Sequence, residues 1–194
     1  MKLSCTLILI LFLPICAYCQ VASPQRSKYY WSTKEFSKDI ALFKAKEFVV
    51  NSVLGKNDNT VQFELDPLAA ASSGELTSLV YRSEKLNMEG LILGFFGNHV
   101  TDAGTPYQAY AFKNLPAAKA TELLTMIESK IKENDKYLSN DPGSNNIYFS
   151  YDDLTFIIDF DGQTNIRVFW NDFDAKWDGT AFKRTKRRLF KKLD

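Results

Sequence analysis

The chain has 194 residues, 24 Lys and Arg against 23 Asp and Glu, and is 45% hydrophobic and 24% charged. That is the balance of an ordinary globular protein. All three cysteines, Cys5, Cys16 and Cys19, fall in the first nineteen residues. The remainder therefore has no thiol nucleophile, no thiolate metal set and no disulfide.

Lys2 precedes an apolar run from Leu7 to Leu13, Pro14 breaks it, and Ala17-Tyr18-Cys19 places small residues where a signal peptidase reads. This is the form of a secretory leader, residues 1–19, and predicts an exported, periplasmic or secreted protein. Lipid anchoring through Cys16 or Cys19 is the alternative. The run is shorter than the roughly 20 residues that span a bilayer, and no later stretch is longer, so no transmembrane helix is expected. The charge is uneven. Residues 183–194 hold seven basic residues and one acid, whereas residues 20–182 hold 16 basic and 22 acidic residues.

Residues 20–28 are polar, contain Pro24 and read as a flexible lead-in to a single domain, residues 29–194. Trp31-Ser32-Thr33-Lys34-Glu35-Phe36 carries a capping box and a hydrophobic staple, so a helix is expected from Ser32 to about Leu54, with Gly55 as its stop. From Thr60 the period becomes two: Val61, Phe63 and Leu65 alternate with Gln62, Glu64 and Asp66. Further strands are expected at Leu76–Arg82, Leu91–Gly97 and Tyr107–Phe112, with a long loop between Gly97 and Pro106. Pro116 opens a second helix, with Ala120, Leu123, Leu124, Ile127, Ile131 and Leu138 along one stripe. Strands at Ile147–Tyr151, Leu154–Phe160 and Asn165–Trp170 follow, turning at Asp152-Asp153 and Asp161-Gly162. A last helix is expected from about Asp172 to Leu193.

The predicted class is α+β, with one antiparallel sheet of six or seven strands and three helices in the order α-ββββ-α-βββ-α. Both halves read as strands followed by a helix, but their residues do not align, so no internal duplication is inferred.

The last helix is the most distinctive element. Ala175, Ala181, Phe182, Leu189, Phe190 and Leu193 gather on one side, and Lys183, Arg184, Arg187, Arg188 and Lys191 on the other. Lys186 and Lys192 lie at the boundary. Such a face suits anionic lipid, anionic glycan or an acidic protein. It equally suits a solvated helix whose Asp172, Asp174 and Asp178 complement the dipole. Nucleic acid is not expected, because no reading motif is present.

Other constellations are weaker. Asp159, Asp161 and Asn165 around Gly162 resemble part of a calcium loop but lack its further acids, and Asp-Gly is also a hairpin signal. His99, with Asp102 nearby and Ser72 or Ser73 as nucleophile, would be the only route to a serine triad, yet no nucleophile elbow surrounds either serine. One His and no Cys outside the leader cannot build the usual zinc set. Gly94, Gly97 and Gly104 lack the Lys-Ser/Thr ending of a phosphate loop. Paired carboxylates are plentiful; Glu64 and Asp66, which share the polar face of one strand, are a pair that a glycan hydrolase could use. No cofactor is expected. The functional expectation is a non-catalytic extracytoplasmic binding or structural module, and the alternative is a small carboxylate-dependent hydrolase of cell-wall or glycan material.

Overall fold

The computed structural model describes residues 42–100 and 102–193. The expected leader, Cys16 and Cys19, the lead-in and the helix start at Trp31–Phe36 lie outside the described residues. Residues 42–48 are α-helical and pass into a π-helical stretch, Val49–Leu54; together they are α1. Gly55 follows with φ 74°, a left-handed conformation that glycine adopts without a Cβ clash.

Among the described residues eight strands follow, not six or seven. β1 (Glu64–Ala70), β2 (Leu76–Ser83), β3 (Met88–Val100) and β4 (Pro106–Pro116) form one antiparallel meander. α2 (Ala117–Glu133) and the short α3 (Asp135–Asn140) lead to β5 (Asn146–Tyr151), β6 (Leu154–Phe160), β7 (Thr164–Trp170) and β8 (Phe173–Asp178), a second meander; α4 (Gly179–Leu193) ends the chain. Among the described residues the single expected sheet is thus two four-stranded sheets, and the three expected helices are four. The connection from β4 to β5 is itself an amphipathic helix, so the chain leaves the first sheet rather than adding a fifth strand to it. With β8 counted, each half is a four-strand meander followed by a helix.

The last helix was expected to begin near Asp172, but residues 173–178 are β8. The register Trp170↔Phe173 leaves Asn171 and Asp172 as a two-residue turn, with Asn171 at φ 49°. Asp152, at φ 56°, opens the matching Asp152-Asp153 turn between β5 and β6. Positive φ is what tight hairpins require, and Asn and Asp tolerate it best among residues with side chains. The loop expected from Gly97 to Pro106 is mostly strand, because β3 and β4 stay paired out to Val100↔Pro106.

Alternation sorts the side chains. On one face of the first sheet, Leu79, Tyr81, Ile92, Phe96 and Phe112 pack against Ala45, Val49 and Phe48 of α1. On its other face, Leu76, Val80, Leu91, Leu93 and Phe95 join a core with Leu123, Leu124 and Ile127 of α2 and with Phe182 and Leu189 of α4. Phe156, Ile158, Ile166, Val168 and Trp177 bring the second sheet into the same core. Both long helices therefore bury their apolar stripes against side chains from two sheets. Tyr148, Arg167 and Asp174 are exposed on the second sheet. No helix among the described residues is long and apolar enough to cross a membrane.

Candidate functional site

α4 begins at a built cap. Asp178 is 8% exposed, and its carboxylate accepts the N–H of Ala181 at 2.9 Å and that of Ser72 at 2.7 Å. Burial works against the charged carboxylate, but the amides of Ser72, Ala181 and Thr180 outweigh it and hold the group below the usual carboxylate range. The acids expected to flank the helix start thus divide: Asp178 caps it, while Asp174 sits on β8 paired with Arg167 at 2.9 Å.

The helix buries the expected stripe, Ala181, Phe182 and Leu189, with Thr185 fully buried among them. Thr185 donates to the Ala181 carbonyl at 2.9 Å and meets the Ser78 hydroxyl of β2 at 2.6 Å. Ser78 also bonds both the N–H and the carbonyl of Ala69, each at 3.2 Å, which ties β1, β2 and α4 together.

The basic residues fall into two groups. Lys186 pairs with Glu128 of α2 at 2.5 Å and Lys192 with Asp66 of β1 at 2.6 Å. These are the boundary cations, and the acidic body neutralises them. Lys183, Arg184, Arg187, Arg188 and Lys191 are all exposed. Arg188 donates to the Leu68 carbonyl. Among the described residues, no carboxylate pairs with the other four.

Beside this helix lies a crevice of about 760 Å³, bounded by β1, the start of β2, α4 and Leu42. Its walls are aliphatic, from Leu68, Ala70, Ala71, Leu79 and Ala181, with Arg184 and Arg188 also on its lining. A shallower depression of about 400 Å³ shares Pro67, Leu68 and Arg188 with it and adds Lys191 and Lys192. Sequence reasoning missed the crevice. The small-residue run Ala69-Ala70-Ala71 was its only local signal, and nothing local says that α4 closes on it.

The remaining candidates are placed elsewhere. Asp66 is tied to Lys192, and Glu64 stands opposite Arg82 in the β1–β2 register. Both line a small depression of about 100 Å³ together with Arg82, Glu89 and Lys192. Asp159 accepts from the Asn165 amide at 2.8 Å across the β6–β7 hairpin, and Asp161 sits in its turn beside Gly162 at φ 68°. Among the described residues no three His, Cys, Asp or Glu side chains gather as a metal would require. His99 packs on the rings of Phe173 and Tyr107, with centroids at 5.0 and 6.0 Å, while the Ser72 amide is engaged by Asp178. The structure therefore gives His99 aromatic neighbours, and among the described residues no hydrogen bond joins it to Ser72 or Ser73.

A polar cluster not anticipated from sequence joins the β5–β6 turn to β4 and α2. Lys113 pairs with Asp153, which also accepts from Trp170 Nε1 at 2.9 Å, and Lys119 pairs with Asp152 at 3.3 Å. Its members satisfy one another, so it latches the second sheet to the first half of the chain. Trp170 lies over Phe95 with centroids at 5.1 Å. Compared with known proteins, the chain matches no family model, no curated sequence and no solved structure.

Proposed function

We propose that this is an exported, non-catalytic binding module that attaches to an anionic surface, above all anionic lipid headgroups, through the outward face of α4. One observation carries the reading: the cations of α4 are treated unequally. Lys186 and Lys192 are matched by Glu128 and Asp66, whereas Lys183, Arg184, Arg187 and Lys191 are exposed with no carboxylate opposite them among the described residues. The outward cations thus stay available to an anionic surface, as the two boundary lysines do not. Each Lys or Arg near an anionic leaflet is worth about 1 kcal/mol, so four acting together give useful affinity without any insertion.

The test is co-sedimentation of residues 20–194 with anionic and with neutral vesicles at low and high salt. Binding is expected only to anionic vesicles and is expected to vanish near 1 M salt, where the Debye length is about 3 Å. Reversing Lys183, Arg184, Arg187 and Lys191 to Glu is expected to abolish it while thermal unfolding stays cooperative. Vesicle binding that survives either high salt or the reversal overturns the reading.

A further inference from the structure

We infer that the crevice between β1 and α4 is a binding site for a monomeric single-chain anionic amphiphile, with its aliphatic chain along the Ala70–Leu79 wall and its charged head at Arg184 and Arg188.

The wall chemistry selects an aliphatic chain. The apolar part of the lining is Leu and Ala side chains from the strands with Ala181 on the helix side; neutral polar side chains such as Ser72, Gln163 and Thr180 complete it, and no aromatic ring is among them. A volume of about 760 Å³ is in the range of small-molecule sites and large enough to cover most of one chain. The charges select an anion. Arg184 has no carboxylate partner among the described residues, and Arg188 is oriented by its bond to the Leu68 carbonyl. The one carboxylate on the lining, Asp178, already accepts the amides of Ser72 and Ala181. Planar guanidinium groups suit a phosphate or carboxylate better than a lone ammonium does.

A 1-acylglycerol phosphate carries an aliphatic chain and an anionic head together and is the probe that fits this lining.

This site does not rest on vesicle attachment, and different residues separate the two. Lys183, Arg187 and Lys191 serve the outer face and are not on the main crevice's lining, whereas Ala70 serves the crevice alone.

The experiment is calorimetric titration of the protein (residues 20–194) with 1-acylglycerol phosphate below its micelle concentration, beside the same acylglycerol without phosphate and glycerol phosphate without a chain. Saturable one-to-one binding is expected for the first. Binding at least about tenfold weaker is expected for the second, and none for the third. Ala70→Trp, at an exposed edge position, is expected to block binding by filling the crevice. Arg184→Gln with Arg188→Gln is expected to weaken it at least about tenfold. The triple change Lys183→Glu, Arg187→Glu and Lys191→Glu is expected to leave it within about threefold while removing vesicle attachment. Absence of binding, equal binding with and without phosphate, or equal loss in the triple variant and Ala70→Trp overturns the site. The vesicle result stands or falls separately.

Discussion

The Asp178 carboxylate accepts the Ser72 amide at 2.7 Å across 106 positions of sequence, while its other oxygen caps α4 at Ala181. One side chain thus fixes the start of the basic helix and the turn that follows β1. Asp178→Ala is expected to cost about 2 to 3 kcal/mol in urea unfolding, because two amides lose their acceptor in a buried setting. Asp178→Asn is expected to cost less, since its amide oxygen still accepts one of them.

The same carboxylate sets an acid limit. Its folded pKa lies below the ordinary value of about 3.9, so the stability it contributes is complete above that pH and is lost as pH falls through the folded value. Wild type is therefore expected to lose more stability than Asp178→Asn between about pH 4 and pH 2, measured as the midpoint of denaturant unfolding. Parallel acid limbs for the two proteins would remove this role.

Ser78 and Thr185 make the second long link, hydroxyl to hydroxyl at 2.6 Å. Each hydroxyl also has a backbone carbonyl in reach, Ala181 for Thr185 and Ala69 for Ser78, so the two share their protons among three acceptor positions. Thr185→Val keeps the shape and removes one hydroxyl of the pair; about 1 to 2 kcal/mol of destabilisation is expected. The double change with Ser78→Ala is expected to cost less than the two single changes added, since they remove one shared interaction.

Two glycines separate crowding from backbone conformation. A Cβ on Gly90 would lie 2.9 Å from the Tyr81 ring and closer still to the Leu115 carbonyl oxygen, which is backbone and cannot swing away. Gly90→Ala is expected to cost about 3 kcal/mol or more, or to prevent folding. Gly104 has φ 77° and open space around the missing Cβ, so Gly104→Ala is expected to cost only about 1 kcal/mol, from backbone conformation alone. Thermal unfolding of the two variants side by side checks the difference.

Tyr151 is pushed up to about 12, first by burial and then by donating to the Glu122 carboxylate at 2.8 Å. Its contribution to stability is present below the ordinary tyrosine value of about 10 and lost as pH rises through about 12. In a spectrophotometric titration, Tyr151→Phe is expected to remove the component that ionises last. An unchanged final phase would place that component on another tyrosine.

The second sheet was the most legible part of the sequence. β5, β6 and β7 alternate cleanly and are joined by two or three turn residues, so their pairing is local. β8 was missed because Phe173-Asp174-Ala175-Lys176-Trp177-Asp178 satisfies two periods. It alternates as a strand, but Ala175 also extends the helical stripe of Ala181, Phe182 and Leu189, and the acids look like a helix start. The turn at Asn171-Asp172 was the cue that separates the readings. The division into two sheets was not legible, because whether a strand after a helical connection rejoins the earlier sheet depends on what the helix buries on each side.

The candidate site divides along the same line. Helical periodicity alone placed Lys183, Arg184, Arg187, Arg188 and Lys191 on one face, because residues on one helix keep fixed relative directions wherever that helix packs. The sequence likewise determined the α+β class and the antiparallel pairing of neighbouring strands, since short turns leave a chain no other route. Only the tertiary structure decided which cations meet an acid, with Lys186 against Glu128 and Lys192 against Asp66. It also decided that Arg184 and Arg188 share one crevice with the Ala69–Ala71 run at the end of β1. These contacts join residues up to 126 positions apart, and no local period encodes them. They follow from how two sheets and two amphipathic helices share one core.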